Sequence, residues 1–260
     1  MKRTAGFSLI LGIILLLEVA CRLGLLDRVY FPPPSMILAS LVDLLQGWDF
    51  WSHVGVTVMR AGIGYIIAMA VAIPTGLLMG KFRLVNTLLE PIVDILRPMP
   101  SAAVIPVAII LFGIEDKMKI VVIIFGAVWP TIISTIDGIR GVDPLVLDTG
   151  RLLQLTPSQM LLRIALPAAS PTIATGMRIS LAIALILAVT SEMIAGSNGL
   201  GYFILDAERG FAFGNMYAGI VMLGLIGYLS SRLFVLAERR MLFWHYVPRA
   251  EAATVEANPI

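Results

Sequence analysis

Charged residues are scarce in this sequence of 260 residues: Asp, Glu, Lys and Arg make up 14%, whereas hydrophobic residues make up 58%. A soluble domain usually carries about 25% charged and roughly 45–50% apolar residues. The deficit of charge is too large for a single buried core to explain. The same composition excludes a disordered chain, a coiled coil, a collagen and a disulfide scaffold. The sequence therefore predicts an all-α membrane protein with several spans.

Residues that commonly carry chemistry are also few. Cys21 is the one cysteine, so no internal disulfide can form and the redox compartment cannot be inferred. His53 and His245 are far apart in the sequence, and no Cys or carboxylate cluster has metal-ligand spacing, so we expect no metal site. No Ser or Cys nucleophile arrangement stands out, and we expect no catalytic residue. The scattered positive residues do not indicate a nucleic-acid partner.

A nucleotide-binding motif is missing as well. The nearest run, Gly76 to Phe82, lacks the spacing of a P-loop and has Phe82 where Ser or Thr would hold magnesium. Because this run ends a predicted span, we interpret it as packing residues followed by the positive anchor Lys81. The sequence predicts no cofactor in this chain, and energy for transport must come from a partner or from an ion gradient.

Six apolar segments are each long enough to cross roughly 30 Å of hydrocarbon. They are residues 7–26, 56–79, 91–112, 119–136, 174–195 and 215–236. The first also resembles a secretory signal, but Glu18 and the apolar continuation favour an uncleaved span. With the N-terminus in the cytoplasm, the inner segments hold Lys2, Arg3, Lys81, Arg83, Arg140, Arg151, Arg163, Arg239, Arg240 and Arg249, and the outer segments hold Arg28, Lys117, Lys119 and Arg209. This bias predicts that both termini are cytoplasmic.

The third span is interrupted by prolines. These are Pro91, Pro98, Pro100 and Pro106, and each removes a backbone donor. The uninterrupted apolar part, residues 99–112, would extend only about 21 Å as a helix. Non-helical backbone at membrane depth is tolerated only against protein or a water-filled cavity. We therefore predict that this segment faces the interior of the bundle and that Arg97, Pro98, Met99 and Pro100 lie near a translocation path.

Small residues recur every four positions on the second and fifth spans. The two series are Gly64, Ala68, Ala72, Gly76 and Gly80, and then Gly176, Ser180, Ala184 and Ala188, with Glu192 next in the second series. Such ridges allow membrane helices to approach closely. We interpret both as packing surfaces, and a pore-lining role is the alternative.

Charged residues inside predicted spans are functional candidates because they are costly in hydrocarbon. Glu18 and Arg22 are four residues apart and can neutralise each other. Arg97 has two interpretations, a role near an anion path or local pairing with Asp94. Glu192 precedes a glycine-rich outer loop, and because a carboxylate is a poor anion ligand we expect it to act in a gate or to structure that loop.

The inner loop, residues 137–170, is amphipathic, and prolines divide it into short pieces. The sequence predicts helices over residues 144–155 and 157–166, each with Pro at its first position. Such helices lie on the membrane surface or dock into a partner's groove. Basic residues are few here, which favours docking.

This loop resembles a known motif. The segment from Asp148 to Gln154, followed by Ile164-Ala165-Leu166-Pro167, is similar to the EAA loop of binding-protein-dependent ABC importer permeases. The Ile-x-Leu-Pro tail matches fully, whereas Asp148, Thr149 and Gly150 stand for Glu-Ala-Ala and Gln154 stands for Gly. Further segments, taken in order, resemble the branch for aliphatic sulfonates, taurine and nitrate: Tyr30 to Ser35, Arg97 to Pro100, Phe112 to Ile114, Asp137 to Arg140, Glu192 to Ala195 and Gly199 to Tyr202.

The resemblance implies a type I importer permease of the bacterial inner membrane, without enzyme activity of its own, that forms a path for a small anion. Its implied partners are a second copy in a homodimer, membrane lipid, a dimer of ATPase subunits that hold ATP and Mg, and a periplasmic or lipid-anchored solute-binding protein. The coupling residues it implies are Asp148, Thr149, Gly150, Arg151, Gln154, Leu166 and Pro167. For Asp148 and Arg151 the alternative is an ordinary solvated helix face.

The implied domains are residues 1–53 as first span and outer loop, 54–240 as permease core, and 241–260 as cytoplasmic tail. An ion-coupled secondary transporter is the alternative from another class, although it would predict repeated halves with paired carboxylates, which this sequence lacks. A membrane scaffold without transport is a third interpretation, and the proline-broken charged span argues against it.

Overall fold

The computed structural model describes residues 2–27 and 29–243, and that part of the chain is helical with no strand. The helices are α1 (Lys2–Arg22), α2 (Pro34–Gln46), α3 (Trp48–Lys81), α4 (Arg83–Leu96), α5 (Ile105–Phe112), α6 (Asp116–Arg140), α7 (Pro144–Leu152), α8 (Pro157–Gln159), α9 (Leu166–Ala195), α10 (Leu200–Arg209) and α11 (Phe213–Met241). A 3-10 turn (Ser101–Val104) precedes α5, and a π-helical stretch (Met160–Ala165) joins α8 to α9. The described residues do not include Arg28 or residues 244–260 of the predicted tail, which contain His245 and Arg249.

Five of the six predicted segments correspond to candidate spans in the described part of the chain, whereas the first, residues 7–26, is not among these candidates. Four helices are long and apolar enough to cross a membrane, namely α3, α6, the continuous run Pro157–Ala195 and α11. Helix α4 and the segment Ser101–Phe112 qualify together as a pair bent by 89°. Helix α1 covers most of the first predicted span. It ends at Arg22, short of the predicted residue 26, because Gly24 adopts the left-handed conformation with φ +73° and closes the helix.

The described chain divides into two compact units. One unit lies within Met1–Met59 and Val189–Ile226, and the other lies within Arg60–Ala188 and Gly227–Ile260. Helices α3, α9 and α11 contribute residues to both units. The second unit contains most of the predicted core and the inner loop.

Within the second unit, α3 packs along α6 through the predicted ridge of small residues. A Cβ added at Gly64 would lie 2.5 Å from Cγ2 of Ile123, and one added at Gly76 would lie 2.5 Å from the Cβ of Thr135. The ridge residues Ala68 and Ala72 are completely buried. The packing interpretation of this ridge is therefore confirmed. Since residue numbers rise together along the contact, α3 and α6 run parallel.

Helix α9 packs on α6 through the second ridge, in the antiparallel direction. A Cβ added at Gly176 would lie 2.5 Å from the Cβ of Ser134 and 2.9 Å from the carbonyl oxygen of Pro130. The hydroxyls of Thr131 and Ser180 share a 2.9 Å hydrogen bond. Farther along, a Cβ at Gly126 would meet the side chain of Leu187. The packing interpretation of the second ridge is confirmed as well.

The parallel arrangement of α3 and α6 determines the path of the segment between them. Arg60 pairs with Asp116 at one end of the contact, and Gly80 packs on Ile139 at the other. These ends are roughly 30 Å apart at 1.5 Å per helical residue. The chain must therefore return across that distance between Lys81 and Asp116. The bent pair is a broken span that crosses, rather than a loop that re-enters on the same side.

The start of the fifth span differs from the prediction. We expected a separate helix over residues 157–166, but the run from Pro157 to Ala195 is one continuous helix. The wider π turn Met160–Ala165 lies directly before Pro167. A proline ring clashes with the carbonyl four residues earlier in an α-helix, and the wider turn relieves that clash. Pro167 therefore does not end the helix, and α9 also continues through Pro171.

Candidate functional site

Helix α7 in the inner loop has clear start and stop signals. Asp143 caps its N-terminus by accepting a 2.8 Å hydrogen bond from the amide of Leu145, and Pro144 occupies the first position. At the other end, Leu155 N donates to Gly150 O and Gln154 N donates to Arg151 O, which is the Schellman pattern. Gln154 takes the left-handed residue of that pattern, with φ +53°. The helix ends at Leu152, not at the predicted residue 155.

Two contacts hold α7 and the start of α8 in place. Gly150 is buried, and a Cβ there would lie 2.5 Å from Cδ1 of Ile164 and 2.7 Å from Sδ of Met160. Lys81, the last residue of α3, donates a 3.1 Å hydrogen bond from Nζ to the carbonyl oxygen of Pro157. The loop is therefore fastened both to the π-helical stretch and to the end of a span.

The outer face of α7 combines a charge pair with exposed leucines. Nη1 of Arg151 donates a 2.7 Å hydrogen bond to Oδ1 of Asp148, and both side chains are more than half exposed. Leu145 is 73% and Leu152 is 84% exposed. Leu145 and Leu152 are seven residues apart, so they lie on the same side of α7.

Only some of the predicted coupling residues are exposed in the structure. Asp148, Thr149, Arg151 and Gln154 are exposed, whereas Gly150 is buried beneath them. Leu166 and Pro167 are half-buried at the start of α9.

The predicted path residues lie at the bend of the broken span. Arg97 closes α4 by donating its amide to Val93 O, and Pro98 to Pro100 form the corner before the 3-10 turn. Arg97, Pro98, Met99 and Pro100 are all exposed, so the prediction that they face the interior of the helix bundle is wrong for the single chain. Among the described residues, Arg97 forms no ion pair with Asp94. The local-pairing interpretation of Arg97 is therefore wrong for this structure.

Glu192 is completely buried at the end of α9. Its Oε2 accepts a 2.8 Å hydrogen bond from Thr57 Oγ1 and a 3.0 Å hydrogen bond from the amide of Gly201. The same Thr57 hydroxyl accepts a 2.8 Å hydrogen bond from the amide of Leu200. The carboxylate thus faces the positive N-terminal end of α10, where a negative charge is favourable. The expectation that Glu192 structures the glycine-rich loop agrees with these contacts.

His53 completes this arrangement. Its Nδ1 accepts a 3.0 Å hydrogen bond from the amide of Gly199, the residue that caps α10. Gly199 has φ +101°, and a Cβ there would lie 2.3 Å from the carboxyl carbon of Glu192, so only glycine fits. The amides of Gly199, Leu200 and Gly201 are therefore all satisfied by side chains of α3 and α9. We call His53, Thr57 and Glu192 the α10 cap.

Sequence reasoning missed several of these groups. It tested His53 as a metal ligand only, and Thr57 carries no motif. It also passed over Arg60, which is 1% exposed and bonded through Nε to Asp116 at 2.9 Å, and Arg178, which pairs with Glu238. An arginine within an apolar span is a signal that could have identified both pairs. The predicted neutralisation of Glu18 by Arg22 is confirmed at 2.7 Å.

Comparison with known proteins agrees with this architecture. A family model described as "Binding-protein-dependent transport system inner membrane component" matches residues 72–243. The putative aliphatic sulfonates transport permease protein SsuC of Bacillus subtilis is 32% identical, over 92% of this chain and 87% of its own length. The taurine transport system permease protein TauC of Escherichia coli is 30% identical, over 86% of this chain and 84% of its own length.

A solved structure supports the fold. A chain of the MetNI methionine ABC transporter, in an inward-facing conformation, superposes with a TM-score of 0.64 over 75% of this chain and 95% of its own. The sequences are 20% identical, so this likeness concerns the fold alone.

These findings exclude the two alternative functions that the sequence left open, an ion-coupled secondary transporter and a membrane scaffold without transport. Permeases of this family are multi-pass proteins of the inner membrane, and they work with a separate ATPase subunit and a solute-binding protein. The chain belongs to the binding-protein-dependent transport system inner membrane components, and it is a transmembrane permease subunit of an ABC importer.

Proposed function

We propose that this permease carries a small organic anion of the sulfonate type, and that α7 is the helix through which the ATPase drives transport. The face of α7 carries the proposal. Its charge pair and its leucines are exposed, while Gly150 and Lys81 fasten the helix to the spans. A partner that binds this face therefore contacts a helix that packs on the π-helical stretch, and the adjoining start of α8 is hydrogen-bonded to the end of α3. ATP and Mg belong to that partner.

The substrate class has two supports. Similar proteins are named for aliphatic sulfonates and taurine, which share a sulfonate group. Arg97 adds an exposed guanidinium at the bend of the broken span, without an ion pair among the described residues. A guanidinium can donate two parallel hydrogen bonds to an oxyanion. In this proposal the segment from Arg97 to Pro100 lines the path, and Glu192 stabilises the gate rather than binding the substrate.

The assembly follows from the same proposal. Two copies of the chain form a homodimer, two ATPase subunits bind on the cytoplasmic side, and a solute-binding protein delivers the anion from outside. Both termini lie in the cytoplasm. The concentration of Lys81, Arg140 and Arg151 at the end of the molecule that carries α7 supports this orientation, since basic residues concentrate on the cytoplasmic side.

Reconstitution tests the substrate class. The chain is inserted into proteoliposomes with its ATPase subunit and its solute-binding protein, and ATP-dependent uptake of radiolabelled taurine and an alkanesulfonate is measured. Arg97→Gln should lower the uptake rate by about tenfold or more, equivalent to one charge-assisted hydrogen bond of roughly 1.5–3 kcal/mol. Arg83→Gln removes the exposed arginine at the opposite end of α4 and should leave uptake unchanged. Equal effects of the two changes, or uptake of neutral solutes alone, would contradict the anion path.

A charge exchange tests α7. Asp148→Arg alone should reduce stimulation of the ATPase by loaded binding protein. The double variant Asp148→Arg with Arg151→Asp restores the pair within the helix but reverses the order of charges seen by a partner. If the partner contact matters, the double variant remains uncoupled. If it recovers full coupling, the pair acts only within a solvated helix face and this role of α7 is wrong.

A further inference from the structure

The α10 cap contains three hydrogen-bond acceptors. Two are side-chain oxygens, of Thr57 and Glu192, and the third is the imidazole nitrogen Nδ1 of His53, which can be protonated. Nδ1 of His53 can accept the amide hydrogen of Gly199 only when it carries no proton, so the ring proton must reside on Nε2. An imidazole is the side chain that ordinarily changes charge between pH 5 and 8. Thr57 remains a neutral acceptor in this range.

Protonation would convert this contact from attraction to repulsion. The protonated ring has two N–H donors and no acceptor. The Nδ1 proton would then point at the Gly199 amide hydrogen, and the positive ring would face the positive end of α10. The amide would lose its acceptor at a part-buried position, which costs free energy.

Neighbouring groups define the environment of the ring. Asp49, one turn earlier on α3, places Oδ2 3.7 Å from Nε2 and is almost fully exposed. Glu192 contributes a buried carboxylate on the far side of Gly199. Tyr202 and Phe203 of α10 place their rings 6.1 Å and 5.8 Å from the imidazole. A protonated ring would be attracted toward Asp49 and away from the helix end.

The side chain of His53 is 13% exposed. We infer that His53 is a proton-sensitive latch on α10: neutral imidazole holds the N-terminus of the helix through Gly199, and protonation releases it. Thr57 and Glu192 retain their bonds to Leu200 and Gly201, so release loosens the helix start without detaching it completely. Protonation of His53 thereby regulates how firmly the outer loop between α9 and α10 is held.

Spin-label mobility on α10 tests the latch in the full-length chain in lipid bilayers. A nitroxide is attached at Asp206→Cys in a Cys21→Ser background, and spectra are recorded from pH 8 to pH 5. The mobile fraction should rise by about tenfold on acidification, the order expected for loss of one satisfied buried hydrogen bond. His53→Gln supplies a neutral amide oxygen as acceptor and should keep α10 immobile at every pH. His53→Ala should be mobile at every pH.

His245 provides a matched control, because it is the other histidine of the chain. His245→Gln should keep the full pH response. In that variant a single 15N-histidine signal remains, and its titration midpoint should coincide with that of the mobility change. A pH response that persists in His53→Gln, or an immobile helix in His53→Ala at pH 8, would overturn the latch. The readout requires no transport, so it is independent of the proposed substrate and of coupling.

Discussion

The hydroxyl of Thr57 and the carboxylate of Glu192 are joined by a 2.8 Å hydrogen bond, and both side chains are completely buried. The two residues are far apart in sequence, so this bond fixes the start of α3 to the end of α9. Thr57 also accepts the amide of Leu200, and a single hydroxyl thus serves two partners.

Thr57→Val should destabilise the protein because it preserves shape but leaves a buried carboxylate short of one donor and an amide without an acceptor. The expected loss is about 2–4 kcal/mol, since an unsatisfied buried group costs roughly 1–3 kcal/mol and a charged one more. Thermal unfolding of the purified protein in detergent measures it. Thr57→Ser retains the hydroxyl and should unfold close to wild type. Identical unfolding of both variants would contradict the role of the hydroxyl.

Two of the closely packed glycines, Gly150 and Gly176, should respond differently to alanine. At Gly150 the nearest atoms are the flexible ends of Met160 and Ile164, which can move, and alanine favours a helix by about 1 kcal/mol. At Gly176 the nearest atoms include the carbonyl oxygen of Pro130, which cannot move without shifting α6. Gly150→Ala should therefore be neutral or stabilising, and Gly176→Ala should lose about 1–3 kcal/mol. Thermal unfolding compares them, and the reverse order would contradict the packing described.

Gln154→Gly should stabilise the end of α7 by about 1 kcal/mol, because glycine adopts a positive φ without the strain of a side chain. Gln159 is a matched control, since it has ordinary helical angles and its side chain completes the capping box of α8. Gln159→Gly should lose about 1 kcal/mol. Hydrogen exchange at the amide of Leu155, which closes the Schellman pattern, should slow in the first variant. Unchanged or faster exchange there would argue against strain at Gln154.

The crossing of the broken span predicts that its two ends face opposite sides of the membrane. Phe82 and Ile114 flank the segment and are exposed. In a Cys21→Ser background, Phe82→Cys and Ile114→Cys should react with a membrane-impermeant thiol reagent from opposite sides of oriented vesicles. Labelling of both from the same side would show a re-entrant loop instead.

Local signals in the sequence predicted much of the fold. The ridges through Gly76 and Gly176 repeat at helical spacing, and close packing in a membrane needs small residues whatever the partner is. Pro144 and Pro157 mark helix starts because a proline lacks the amide that a first turn leaves unpaired. These features depend on near neighbours in the chain, so periodicity and composition are sufficient to find them.

Other features could not be predicted because they depend on distant contacts. The helix continues through Pro167 because a π turn precedes it, and no residue type specifies such a turn. His53 and Thr57 can be identified as capping residues only from the fold, in which they accept hydrogen bonds from the amides of Gly199 and Leu200. The sequence shows that Glu192 is charged, but it does not show that Thr57 and the amide of Gly201 donate hydrogen bonds to the carboxylate.

The packing of α3, α6 and α9 limits how these helices can move. Gly76 approaches the carbonyl oxygen of Ile132, Gly176 approaches that of Pro130, and the hydroxyl of Tyr65 bonds to the carbonyl of Met177 at 3.2 Å. Sliding one helix past another would drive side chains into backbone atoms, which disfavours shear. We therefore expect these segments to move together, so that a displacement applied at the Lys81–Pro157 end is transmitted over roughly 30 Å to the Arg60–Asp116 pair.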